Sequence, residues 1–347
     1  MVTHKIEVAE RVASERENTY RGVFPVVYST LSPQAIITPV LSQYNLGNVN
    51  SCKLWNRRLS DVYLVDIDSQ PYILRISHHH WRSLTDIQIE LELLEFLYQR
   101  DLPVAYPIRT REQKLLVTIK ALEGDRYAAL FPYADGNVPL GDFNLTQSTI
   151  FGQTLAKLHY NSAEFHSLAP RQPLNLDYLL EDSYQIIAEC LQDRPKDLIY
   201  LEQVINHIKE KIAPLPCESP FWVVCWGDPH SGNVHFTENN RITLFDFDQC
   251  GYGWRIFDLA KFLQVSLHAG IDRKVRDACL AGYQSIQTLT EQELDSLPLL
   301  TQTAHIWVWA ININAAKIHS WCRLDRSYFT KKIEKLKRLT SKDWQLF

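Results

Sequence analysis

The segment Trp226-Gly227-Asp228-Pro229-His230-Ser231-Gly232-Asn233-Val234, followed shortly by Leu244-Phe245-Asp246-Phe247-Asp248, carries the densest polar information in the chain. Asn233 comes five positions after Asp228, and Asp246 thirteen after Asn233. Between them Asn239-Asn240 makes a good two-residue hairpin turn, because Asn tolerates positive φ. A hairpin centred there sets 238 opposite 241 and, counting outward, Asn233 opposite Asp246. Directly opposed residues hold their Cβ atoms about 4.5–5.5 Å apart. An amide oxygen beside a carboxylate suits a hard cation such as Mg²⁺, so Asn233 and Asp246 are the expected metal ligands. Asp228, one short loop before the first strand, is expected in the same region, placed to accept a proton from an attacking hydroxyl and to orient it.

Outward from this segment the pattern splits the chain in two. On the N-terminal side, Ser32-Pro33 reads as an N-cap with proline at N1, opening a helix to about Tyr44. Strand signals follow at Asn48–Leu54, Asp61–Asp66 and Pro71–Ser77. Leu84–Gln99 is expected to be helical, with Ile87, Leu91, Leu94 and Leu97 at three- and four-residue spacings. Two more strands fit Lys114–Ile119 and Tyr127–Phe131. After Pro132 long helical patterns take over: Thr146–Tyr160, Leu176–Leu191, Lys196–Lys211, Phe257–Leu267, Arg273–Thr288, Gln292–Ile318 with a break expected near Pro298, and Ser327–Leu339. One strand pair, Asn233–Phe236 and Ile242–Phe245, interrupts them. The expected fold class is therefore α+β with two lobes: an arm over 1–30, a small β-rich lobe over 31–132 and a larger helical lobe over 133–347. A crevice between lobes is a natural place for a ligand.

Composition narrows the function. The 347 residues carry 36 basic and 40 acidic side chains, a net charge of −4, which argues against a nucleic-acid coat. No apolar run approaches the length of a membrane helix, and the first 20 residues mix both charge signs without an apolar leader core. A cytoplasmic protein with no membrane partner is expected. The seven cysteines form no C-x-x-C pair and read as reduced, mostly buried thiols. With only 12 glycines, no glycine-rich nucleotide loop stands out.

Asp-x4-Asn followed by a strand-terminal Asp is also the spacing of a kinase catalytic loop and its metal-binding Asp. Over roughly residues 45–270, and most specifically at Gly227–Val234 and Phe245–Ala260, the chain resembles the aminoglycoside phosphotransferase and choline kinase-like superfamily. Its nearest look is to the bacterial stress-response kinase and type II homoserine kinase-like branch. The resemblance implies a protein kinase-like fold, ATP and Mg²⁺ as cofactors, and phosphorylation of a hydroxyl on a small molecule or on a protein Ser/Thr. By it, Asp228 is the catalytic base, and Asn233 and Asp246 bind Mg²⁺. Arg75, in Gln70-Pro71-Tyr72-Ile73-Leu74-Arg75-Ile76, takes the place of a phosphate-binding Lys paired with Glu90. Glu92 points about 200° away around the helix and is the poorer partner. Phe131-Pro132-Tyr133-Ala134-Asp135-Gly136 resembles a hinge, where the Pro132 carbonyl and the Ala134 N–H would hold adenine. Asp258 resembles a structural Asp that braces the catalytic loop.

Two departures stand out. Trp226 replaces the His that usually opens the loop motif, at a position that mostly packs. Arg75 is longer and flatter than Lys. The first hairpin loop, Asn56–Asp61, lacks glycine, leaving backbone N–H groups or Ser60 to cover phosphates. Arg75 and the glycine-free loop motivate a rival reading, a pseudokinase that binds nucleotide or a partner without transfer. A metal-dependent hydrolase is a more distant rival. His78-His79-His80 reads as a solvated loop, the aromatics of 305–310 as packing of the helical lobe, and the basic stretch 331–338 as one face of a solvated terminal helix.

Overall fold

The structure, a computed structural model, describes residues 25–139, 142–167, 169–319 and 323–346. It is a two-lobed α+β fold. The first lobe is a five-stranded antiparallel sheet: β1 (Val49–Arg57), β2 (Ser60–Ile67), β3 (Gln70–Ser77), β4 (Val117–Ala121) and β5 (Gly124–Pro132), in the order β1-β2-β3-β5-β4. Alternation along the strands separates two faces. Tyr63, Val65, Ile67, Leu74, Ile76 and Leu130 pack under Ile36, Val40 and Leu41. Arg75, flanked on its strand by the buried Leu74 and Ile76, is turned the other way, toward helix α2 (Leu84–Tyr98). That helix opens on a full capping box, Ser83 with Asp86.

The opening helix is shorter than expected: α1 spans Pro33–Ile37, and only a 3₁₀ turn, Leu41–Gln43, follows. Pro39 is the cause, since a proline lacks the N–H and clashes with the preceding turn. Most of the arm expected over 1–30 lies outside the described residues. Its last part lies on the sheet lobe, where the Tyr28 hydroxyl donates to Asp61 and Ser29 Oγ donates to Glu123 at 2.6 Å. Asp61 is fully buried and paired with the equally buried Arg126 at 2.8 Å. His78 is not solvated: it is buried beside Asp61 at 3.3 Å, and only His79 and His80 are exposed.

The second lobe is helical: α3 (Leu145–Ser162), a π-turned stretch (Asp177–Asp182) running into α4 (Ser183–Cys190), α5 (Pro195–Ile212), α6 (Arg255–Ala269), α7 (Arg273–Gln284), α8 (Glu291–His319) and α9 (Arg326–Leu339). Helix α8 does not break at Pro298. It packs against α4, α5, α6 and α9, and that burial offsets the roughly 3 kcal/mol a mid-helix proline costs. The Trp307 and Trp309 side chains are buried in this core. Helix α9 buries Phe329, Ile333 and Leu336, and its Lys331, Lys337 and Arg338 are exposed. Two small ladders stand among the helices. One is the hairpin β7 (Val234–Phe236) with β8 (Ile242–Leu244). The other, β6 (Trp222–Cys225) with β9 (Gly251–Trp254), has no counterpart in the sequence reading.

Candidate active site

The β6/β9 ladder positions the site. Cys225 pairs with Gly251, so the segments 226–233 and 245–250 leave adjacent ends of the same ladder. Helix α6 starts at Arg255, directly after β9, and one turn in it returns Asp258 to the loop. The fully buried Asp258 carboxylate accepts from the Trp226 and Gly227 N–H groups, each at 2.8 Å, and from His159 Nε2–H at 2.8 Å. These bonds fix the backbone on which Asp228 stands. Trp226 is buried, stacks on Phe247 with ring centres 5.1 Å apart, and its indole N–H donates to the Asp246 carbonyl at 3.0 Å. The Trp in place of His therefore packs and also holds the Asp246 backbone.

The hairpin register differs from the expected one by one residue. Val234 pairs with Leu244 and Phe236 with Ile242, so Asn233 lies opposite Phe245, whose N–H donates to the Asn233 carbonyl at 3.0 Å. The turn spans three residues rather than two: Thr237 N–H donates to the Arg241 carbonyl, and Asn240 takes φ +56°. A three-residue turn ending in the left-handed region is the next common hairpin after the two-residue one. Asp246 follows at φ +60°, a left-handed bend just past the ladder that an Asp tolerates better than most residues.

Asn233 Nδ2 donates to the Asp228 carbonyl at 3.0 Å and to its Oδ2 at 3.3 Å, which leaves the amide oxygen on the opposite side. Asp228 Oδ1 meets Lys261 Nζ at 2.5 Å, and His230 Nε2 lies 3.4 Å from Oδ2. Burial would raise an acid here, but Lys261 and then His230 hold the Asp228 carboxyl well below the usual carboxylate range. Asp246 is the opposite case. Its carboxylate is 53 % accessible, yet desolvation by the cleft walls, together with Asp248 and Asp228, raises it to about 7 against the pull of Arg75. The accessible Asp246 oxygens thus stand among other acids, with Arg75 the cation that faces them.

From the sheet lobe, Arg75 grips Glu90 in a two-pronged fork, Nη1–Oε1 and Nη2–Oε2 both 2.6 Å, and its Nη1 lies 3.9 Å from Asp246 Oδ1. Burial opposes its charge, and the ion pair with Glu90 more than restores it. Glu92 is turned away and accepts from Ser167 Oγ. Arg75, Glu90, Asp228, Asn233 and Asp246 thus meet at one cleft between the lobes. Pro132 ends β5, and the Ala134 carbonyl accepts from His235 Nδ1–H at 2.7 Å, so the linking strand is tied to β7.

Two groups of residues escaped the sequence reading. Lys261 lies one helical turn past Asp258 on the same face of α6, a spacing that could have flagged it. Asp248 accepts from Trp81 Nε1–H at 2.6 Å and from Arg82 at 3.3 Å, while Arg171 donates to its carbonyl, so three residues distant in sequence converge on it. Nothing local in the sequence signals that convergence.

A model described as the phosphotransferase enzyme family matches residues 53–297. The chain belongs to this family. It is accordingly a kinase with a hydroxyl acceptor. An uncharacterized protein of Synechocystis sp. is 51% identical to it over 93% of the chain and 90% of that protein. The homoserine kinase of Rhodospirillum rubrum is 24% identical over 85% of the chain and 88% of that enzyme. Among solved structures, the amicoumacin kinase hAmiN, in complex with AMP-PNP, Ca²⁺ and Ami, superimposes with a TM-score of 0.72 at 19% identity, covering 89% of this chain and 94% of that one. That likeness bears on the fold. Among the described residues no helix is long and apolar enough to cross a membrane.

Proposed function

We propose that the protein transfers the γ-phosphoryl group of ATP, with Mg²⁺, to a hydroxyl of a small molecule. The observation that carries this reading is the meeting of the ionised Asp228, the Asn233–Asp246 pair and the Arg75–Glu90 fork at a single cleft. The residues fit a hard cation. Asn233 commits its N–H donors to Asp228 and keeps an amide oxygen over, and the accessible Asp246 carboxylate is crowded by other acids. Asn233 and Asp246 would hold Mg²⁺, which supplies charge neutralisation to the polyphosphate when bound.

Asp228 receives the acceptor hydroxyl. As the new oxygen–phosphorus bond forms, Asp228 takes the proton, and the bond from the γ-phosphorus to the bridging oxygen breaks with its electron pair leaving on ADP. Arg75 uses two N–H groups on Glu90 and has three more for the α- and β-phosphates. Arg provides planar, paired hydrogen bonding where Lys would provide a point charge. In this reading residues 31–132 carry the nucleotide, with adenine on the Pro132 carbonyl and the Ala134 N–H. Residues 133–347 carry Asp228 and the acceptor pocket, and the protein works in the cytoplasm. A small acceptor is favoured over a protein Ser/Thr because the named relatives are small-molecule kinases. The reading as a pseudokinase is set aside: family membership speaks for transfer.

Thermal unfolding tests the site. ATP at about 100 times its dissociation constant should add roughly 2.7 kcal/mol of stability, and the upward shift should require Mg²⁺ and vanish in Asp246→Ala. Asp228→Asn should keep the shift and lose transfer by about 10²–10⁴-fold. No shift in the wild type at millimolar ATP, or transfer at near wild-type rate by Asp228→Asn, would overturn the assignment.

A further inference from the structure

Lys261 is a charge at the Asp228 carboxylate that the kinase reading leaves without a task. Its Nζ stands 2.5 Å from Asp228 Oδ1, while its side chain is only 4 % accessible. A lysine in that position cannot swing into solvent. Its charge is held against one oxygen of the carboxylate that receives the acceptor hydroxyl in the phosphotransfer reading. Such a hydroxyl lies about 2.6–3.2 Å from the carboxylate, so the attacking oxygen and the phosphorus it approaches both fall within a few ångströms of the ammonium. The placement has a local cause. Asp258 and Lys261 are three residues apart on α6, on one face of the helix. The same helix that ties the loop backbone through Asp258 ties the Asp228 carboxylate through Lys261.

We propose that Lys261 is a catalytic residue of this cleft, meeting the negative charge of the γ-phosphoryl group in transfer as well as holding Asp228. This inference rests on the reading of the cleft as a phosphotransfer site. The bond changes are those already given: the hydroxyl oxygen bonds to phosphorus, its proton goes to Asp228, and ADP leaves with the electron pair. Lys261 keeps all its protons throughout and acts by charge alone. Preorganised positive charge aimed at charge that develops late is the kind of interaction that lowers a barrier without tightening ground-state binding.

The test needs no identified acceptor. Binding of AMP-PNP, and of ADP with aluminium fluoride as a mimic of the transferring phosphoryl group, would be titrated with Mg²⁺ present for wild type, Lys261→Met and Lys261→Arg. The wild type should bind ADP with aluminium fluoride at least roughly tenfold more tightly than ADP alone. Lys261→Met should lose most of that gain and keep AMP-PNP affinity within about threefold. Lys261→Arg retains the charge and should recover part of the gain. It also serves if the Met variant fails to fold. Full tightening in Lys261→Met overturns the proposal, as does a wild type that binds AMP-PNP but gains nothing from aluminium fluoride. A wild type that binds neither nucleotide overturns the phosphotransfer reading itself, and the role of Lys261 falls with it.

Discussion

Gly227 shows how little freedom a single position in the catalytic loop has. Its φ is +84°, and a Cβ added there would sit 2.2 Å from the Gln249 carbonyl oxygen. The obstacle is backbone from the segment that carries Asp246 and Asp248, so it cannot rotate aside. Gly227→Ala therefore faces both a left-handed backbone, worth about 1–3 kcal/mol, and a displacement of one half of the site from the other. The expected outcome is a melting temperature lower by several degrees and a loss of transfer larger than the loss of stability explains. Circular dichroism melting and an ATP-turnover assay on the same preparation check it. At this scale the sequence was informative where chemistry is local. Asp228, Asn233 and Asp246 stand out because acids and amides at those intervals have few other uses. Lys261 did not stand out, because a lone Lys in an apolar helical run reads as a solvated residue until the fold turns it inward.

Among the elements, α6 and the small ladder beside it organise the site, and they differ in legibility. The apolar run of α6 is plain in Phe257–Leu267. The β6/β9 ladder is not: Trp222–Cys225 is four residues long, and Gly251-Tyr252-Gly253-Trp254 contains two glycines, which are depleted in strands. Only long-range pairing makes these strands. The hairpin register missed by one for a similar reason, since Asn at either 239 or 240 can take the positive φ and the sequence does not say which. Helix α8 offers an element-scale prediction. His305 is buried there, and its Nε2–H donates to the Lys332 carbonyl of α9 at 3.0 Å. Burial first, and the nearby Lys332, Lys335 and His268 with it, push its pKa down to about 3 from 6.5. Above pH 6.5 the imidazole is neutral in both folded and unfolded chains, so its contribution to stability is complete. Between 6.5 and 3 the unfolded chain takes up a proton that the folded one refuses, and stability falls by about 1.4 kcal/mol per pH unit from this group. His305→Gln should flatten that part of the stability curve. Urea unfolding of both proteins at a series of pH values between 7 and 4 reads the difference in slope, and parallel curves would remove His305 as the titrating group.

At the scale of the whole molecule the question is what joins the sheet lobe to the catalytic segment; besides the backbone bonds of Leu244 with Pro103 and Ala105, Asp248 makes the side-chain junction. Its carboxylate takes Trp81 Nε1–H and Arg82 Nε–H from the segment between β3 and α2, and Arg82 also donates to Gln249 Oε1 at 2.8 Å. Arg171, from the helical lobe, spans the junction by donating to the Asp248 carbonyl and, at 2.6 Å, to the Asp86 carbonyl of α2. Against the burial that would raise it, Arg82, then Arg75, Trp81 and Arg171 hold the Asp248 carboxyl below its ordinary range, so it is ionised near neutral pH. Two residues upstream stands Asp246, so the position of the sheet lobe is transmitted directly to the proposed metal ligand. Removing the carboxylate takes from Arg82, itself only 12 % accessible, the acid that does most to offset its burial and leaves it the neutral Gln249 oxygen. Breaking such a pair from one side costs about 3–5 kcal/mol at full burial, and residual solvent access places Asp248→Ala toward the lower end. The same substitution loosens the sheet lobe by removing one of its ties, so the ATP concentration needed for half-maximal transfer should rise more than the maximal rate falls. Arg82→Met removes the stranded cation. In the double variant the two losses should overlap by about 1–3 kcal/mol instead of adding, as expected for groups in direct contact. Denaturant unfolding of the wild type, both single variants and the double variant measures that overlap. Strict additivity, with an unchanged ATP requirement in Asp248→Ala, would mean that Asp248 merely packs and that the two lobes are held together elsewhere.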